Sequence, residues 1–165
     1  MGYKKAIIFS IAMTAILIVM GTIIKSNIFP MPIALTLPPF NKMWFRVAGV
    51  IGIFFPSIML ILYHHHEIVR KIFIPYLFVL GIQIISEWYF FRFFFPSMTI
   101  FIGIGYVGFR IWQWWVTDVY IRRFIKQKYL YYYFLLITVR LNFIFWGLLW
   151  IRLFFFRLPQ LFGFS

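Results

Sequence analysis

The chain has 165 residues, 64% of them hydrophobic and only 12% charged, with a mean hydropathy of +0.95; an ordinary soluble domain carries about 25% charged residues. Its 16 Lys and Arg face only Glu67, Glu87 and Asp118, for a net charge of +13. A surface this apolar cannot be hidden from water at this length, so the expected solvent is a bilayer and the expected architecture a single membrane-embedded domain over residues 1–165.

Five apolar runs have about the 20-residue length that a helix needs to cross the hydrocarbon core. They predict an all-α bundle with spans at roughly 6–24, 45–63, 72–91, 97–117 and 131–151. The first follows Lys4 and Lys5. Its long apolar run, with no small-x-small cleavage site after it, reads as a retained span rather than a signal peptide. Between the first two runs, SNIFPMPIALTLPPFNKMWF is apolar but interrupted by Pro30, Pro32, Pro38 and Pro39, which exclude a continuous helix. Backbone without partners cannot face lipid, so this segment is expected at the interface or folded against the bundle. The tail RLFFFRLPQLFGFS is expected along the interface as well.

In a soluble protein a strongly basic balance would suggest nucleic acid. Here the basic residues sit mostly at the ends of apolar runs, where they anchor spans to anionic headgroups. Membrane lipids, other membrane subunits or further copies of the chain are the expected partners, with no nucleic acid. Five spans put Lys4, Lys5, Arg70, Lys71, Arg122, Arg123, Lys126 and Lys128 on one side, and Lys25, Lys42, Arg46, Arg92, Arg152 and Arg157 on the other. The excess favours a cytoplasmic amino terminus. The absence of cysteine removes disulfides, thiolate metal sites and cysteine nucleophiles.

The fourth run contains a literal G-x-G-x-x-G at Gly103, Gly105 and Gly108. A dinucleotide fingerprint needs a preceding strand and an acidic residue about 20 positions on. Here an apolar run continues through the glycines, and Lys128 stands where the acid belongs, so no nucleotide is expected. Small residues in a membrane helix let a neighbouring backbone approach. These glycines, with Ala48 and Gly52 four apart in the second run, are therefore predicted packing positions.

Ionisable groups inside apolar runs cost several kcal/mol unless paired or wetted. At about 1.5 Å rise per residue, Arg140 and Glu87 fall at similar depths, and Gln83 lies one turn from Glu87. The expectation is an intramembrane polar cluster of Gln83, Glu87, Arg140 and Asn142. Arg110, Trp114, Asp118 and Arg122 recur every four residues. This line suggests an Asp118–Arg122 pair, an aromatic belt of Trp112, Trp114 and Trp115, and an anion or lipid-headgroup site at Arg110, Arg122 and Arg123.

His64, His65 and His66 are consecutive, so on one helix they point about 100° apart and cannot share a metal. They read as a polar turn, and the sequence requires no cofactor. A single histidine of the three remains a candidate axial ligand for haem or chlorophyll. No serine–histidine pairing or close carboxylate pair suggests catalysis. The functional expectation is a non-catalytic accessory subunit or assembly factor of a larger membrane complex, energy-transducing or photosynthetic among the options. The alternative is a small transporter or channel for an anionic or lipid-like substrate, with Glu87, Arg110 and Arg140 lining its path.

Overall fold

The computed structural model describes residues 3–26, 46–93, 98–124 and 130–161. The Pro-rich segment between the first two apolar runs, Lys126 and Lys128 lie outside the described residues. Among those described, every regular element is a helix. Five helices follow in order: α1 (Tyr3–Lys25), α2 (Arg46–Leu62), α3 (Glu67–Phe93), α4 (Met98–Phe124) and α5, which starts as Leu130–Arg152 and continues to Leu161. Each coincides with one expected apolar run. α1, α3 and α5 contain stretches long and apolar enough to cross a membrane, whereas α2 is shorter. α4 is long, but Arg110, Asp118, Arg122 and Arg123 dilute its apolar character.

Helix ends follow local chemistry. Glu67 opens α3, while Lys25, Arg122, Arg123 and Arg152 occupy the last turns of their helices, each charge matching the sign that the helix dipole favours there. Side-chain hydroxyls inside the helices bond back to carbonyls one turn earlier, Thr14 to Ser10 (2.8 Å), Thr22 to Ile18 (2.8 Å) and Thr138 to Phe134 (2.8 Å). Such bonds satisfy a hydroxyl without a second helix.

Two helices contain one widened turn. In Val50–Phe54 and in Leu153–Arg157 the bond runs from residue i to i−5, with Phe55 N–H reaching the Val50 carbonyl and Leu158 N–H the Leu153 carbonyl. Both widened turns end two residues before a proline, Pro56 and Pro159. A proline removes the N–H that would bond to residue i−4 and crowds that carbonyl; widening the preceding turn relieves both. The second widened turn carries α5 onward, so residues 152–161 of the tail are a helical continuation of α5.

α3 and α4 pack together at the centre. α1 lies against both on one side, while α2 meets α3 and α5 packs along α4 on the other. The core is correspondingly in two parts. Phe73, Tyr76, Val107, Trp114, Leu135, Val139 and Trp146 belong to the larger, between α2, α3, α4 and α5. Leu17, Val79, Met98, Ile102 and Tyr106 belong to the smaller, under α1. The outer surface carries large apolar groups such as Ile11, Ile61, Ile85, Trp88, Trp115 and Phe155.

The glycines make room for side chains, not for a neighbouring backbone. A Cβ on Gly52 would lie 2.6 Å from Trp146 Cζ2, one on Gly103 2.9 Å from Leu153 Cδ1, and one on Gly108 3.1 Å from Trp150 Nε1, while Gly105 backs onto the Met13 thioether. The helix-packing expectation is thus corrected in kind: large residues of α5 and α1 seat in notches on α2 and α4. Ala48 packs against the larger core cluster. Gly49 and Gly81 have nothing within 4 Å of a built Cβ. Gly52→Ala is therefore expected to destabilise by about 1–3 kcal/mol through overpacking against a rigid indole. Gly81→Ala should be neutral or stabilising by up to about 1 kcal/mol. Thermal unfolding of the two variants in detergent measures the contrast, and equal midpoints would remove the notch at Gly52.

Candidate functional site

Most of the inward polar side chains fall on three helical lines. On α3, the buried Tyr76 and Gln83 and the partly buried Glu87 follow one another at intervals of seven and four residues. On α4, Arg110, Gln113 and Thr117 do so at three and four, and on α5, Thr138, Asn142 and Trp146 at four. Such spacing keeps each set on one face. All three faces turn inward.

Arg110 stands at their meeting point with 0% exposure. Its Nη2 donates to Gln83 Oε1, and Gln83 Nε2 donates to Glu87 Oε1, so a neutral amide links the guanidinium to the carboxylate. The guanidinium carbon lies 4.1 Å from the centre of the Trp146 ring and 5.9 Å from that of Tyr76. A cation over an indole is worth about 2 kcal/mol when desolvated.

Beside the guanidinium a second network joins the remaining helices. Trp146 shares its indole N–H between Tyr76 Oη (3.1 Å) and Asn142 Oδ1 (3.2 Å). The Tyr76 hydroxyl donates to the Gly52 carbonyl at 2.8 Å, with Asn142 Oδ1 at 3.3 Å, and Asn142 Nδ2 donates to the Thr138 carbonyl at 3.0 Å. Gly52 is four residues before Pro56, so its carbonyl is the one that loses its α-helical donor. The widened turn of α2 and the Tyr76 hydroxyl are two consequences of one proline. Trp146, touching Arg110 with its face and Tyr76 with its edge nitrogen, joins both networks into a polar layer across α2, α3, α4 and α5.

The expected cluster of Gln83, Glu87, Arg140 and Asn142 is thereby revised. Gln83 and Glu87 are bonded to each other, but their cation is Arg110, and Asn142 belongs to the Tyr76–Trp146 network. The Arg140 side chain is 54% exposed, with Nε 3.4 Å from Asp118 Oδ1. Helix geometry gives the reason. Arg140 is two residues from both Thr138 and Asn142, a rotation of about 200° from each, so it must point away from the face those two share.

The i, i+4 line on α4 is likewise divided. Each step of four overshoots a full turn by about 40°, so Arg110 and Trp114 lie in the core, Asp118 is partly exposed and Arg122 is on the surface. Arg122 pairs with Asp118, as its spacing suggests. Arg110 is separated from Arg122 and Arg123 by about 18 Å of helix, and the three do not form one headgroup site. Trp115 is exposed, and Trp112 carries Lys5 Nζ 5.6 Å above its ring. Trp114 is 1% exposed and belongs to the core, not to an aromatic belt.

His64, His65 and His66 form the exposed turn between α2 and α3. His66 stacks on Tyr131 with ring centres 4.3 Å apart, His64 Nδ1 lies 3.0 Å from the Ile61 carbonyl, and Arg70 donates to the His64 carbonyl at 3.0 Å. Among the described residues no three His, Cys, Asp or Glu gather where they can hold a metal ion. Tyr76 and Trp146 are the site residues that sequence reasoning missed. The four-residue spacing of Thr138, Asn142 and Trp146 and the Gly52–Pro56 pairing were the available signals.

The arrangement defines a class: an all-helical bundle whose inward polar side chains link its helices. No protein-family model, curated protein or solved structure matches the chain.

Arg110→Met should destabilise by about 3 kcal/mol or more, since it leaves Gln83 and Glu87 with an unmatched buried charge. Arg140→Leu should cost no more than about 0.5 kcal/mol. Tyr76→Phe strands the Gly52 carbonyl and leaves the Trp146 N–H with Asn142 Oδ1 as its acceptor, for about 1–3 kcal/mol. Detergent melting curves rank the three, and an Arg140→Leu loss equal to that of Arg110→Met would contradict the placement of the guanidinium.

Proposed function

We propose that the chain is a small multi-pass membrane protein of five spans, acting as a non-catalytic accessory subunit or assembly factor of a larger membrane complex. The observation carrying this reading is the direction of its polar groups. Arg110, Gln83, Tyr76 and Asn142 close on one another between helices, while the exterior presents large aliphatic and aromatic side chains. A protein built this way directs its chemistry to its own assembly and offers its surface to lipid and to other spans. The exposed Lys4, Lys5, Arg70, Lys71, Arg122 and Arg123 lie at the α1 and α3 starts and the α4 end. Antiparallel spans bring those ends to one side, and a basic side is the cytoplasmic one.

The transporter reading draws its support from Glu87, Arg110 and Arg140 lining one path. Arg140 faces outward beside Asp118, which separates it from the other two and favours the subunit reading. In an energy-transducing or photosynthetic complex, exposed Trp88, Trp115 and Phe155 would meet pigments and lipids, and a histidine of the 64–66 turn would be the axial ligand available.

Extraction in mild detergent followed by native-gel separation and mass spectrometry tests the proposal. The expected outcome is co-migration with one set of membrane subunits at fixed stoichiometry, retained after a second purification step. An absorption spectrum of the same band reports any haem or chlorophyll. A colourless, monodisperse homo-oligomer would overturn the subunit reading in favour of transport.

A further inference from the structure

The polar layer leaves a surplus of donors around Arg110. A guanidinium has five N–H groups, yet Nε and Nη1 of Arg110 have no hydrogen-bond partner. The hydroxyl of Tyr106, one turn earlier on the same face of α4 and 0% exposed, also has none. The Trp114 indole N–H, one turn later, is unpaired as well. Ser10 Oγ on α1 and Gln113 Oε1 complete the unpaired buried atoms among the described residues, and only Gln113 is purely an acceptor. Buried donors without partners are rare in folded proteins and call for an explanation.

Charge points the same way. Glu87 is the carboxylate linked to Arg110, and the Tyr76 ring centre lies 5.9 Å from the guanidinium carbon. Glu87 reaches it through the neutral amide of Gln83 rather than by contact. A desolvated cation whose carboxylate is held one side chain away, with its own Nε and Nη1 unpaired and an unpaired hydroxyl one helical turn off, matches an anion in both charge and hydrogen-bonding sense. Water would satisfy the donors but add no negative charge. The complete burial of Arg110 and Tyr106 selects a small ion over a lipid headgroup.

We propose that Arg110, with the Tyr106 hydroxyl one helical turn away, binds a small monovalent inorganic anion of halide size on the inward face of α4. The site does not depend on the subunit reading, because it needs only the folded chain and no partner.

Iodide is the probe, since Trp146 lies under the guanidinium and Trp114 follows it by one turn, so a heavy halide held there quenches indole fluorescence. The full chain purified in detergent and chloride-free gluconate buffer should show saturable quenching by iodide that chloride reverses competitively. Tyr106→Phe keeps the ring that meets Phe9 edge-on at 5.5 Å and removes only the hydroxyl. It should weaken the apparent affinity about fivefold, the loss of one hydrogen bond to an anion. Arg123→Gln, an exposed position on the same helix, should leave the titration unchanged. Strictly linear quenching identical in wild type and Tyr106→Phe would overturn the proposal. So would saturable quenching abolished by Arg123→Gln but untouched by Tyr106→Phe, which would place the ion on the surface. Both outcomes are independent of whether the chain co-purifies with other subunits.

Discussion

Burying the Arg110 guanidinium is the constraint on which the rest of the interior depends. A charge removed from water costs several kcal/mol even after relaxation, so everything near it must offset that cost. Gln83 supplies an acceptor, Glu87 an opposite charge at one remove, and Trp146 an aromatic face at 4.1 Å. Trp146 is in turn held by Tyr76 and Asn142. The helices are therefore fixed in rotation as well as in position: turning α5 would withdraw the indole, and turning α3 would withdraw the amide.

The prolines extend this constraint to α2. Pro56 frees the Gly52 carbonyl from its helical donor, and Tyr76 takes that carbonyl at 2.8 Å. The same glycine leaves room for the Trp146 ring. One short stretch, Gly52 to Pro56, thus provides a notch, an acceptor and a widened turn. Replacement of any of the three disturbs the same indole. The second widened turn, before Pro159, brings Leu153 against Gly103 while Trp150 donates to the Ile104 carbonyl at 3.2 Å. The G-x-G-x-x-G spacing is thereby accounted for by knobs from α5 and α1.

Much of the fold was legible because apolar run length is a local property. All five apolar runs became helices, with ends displaced by a few residues where polar side chains, such as Glu67 and Arg122, still favour a helix terminus. The candidate site was legible in its members but not in its partnerships. Gln83 and Glu87 were paired correctly because both lie on one helix, where spacing decides contact. The choice between Arg110 and Arg140 rested on depth, which rise per residue supplies, whereas the deciding quantity was rotation about the axis. Thr138 and Asn142 carried that information in the sequence, since both cannot face inward together with Arg140.

From sequence alone came the apolar character, the helical class and the exclusion of cysteine chemistry, all of which follow from composition or from neighbours along the chain. The identity of the buried cation, the seating of Trp146 in the Gly52 notch and the unpaired donors at Tyr106 and Arg110 were decided by tertiary structure. Each depends on which faces of separate helices meet, and that is set by side-chain packing between residues as far apart as Gly52 and Trp146, a relation that no local periodicity contains.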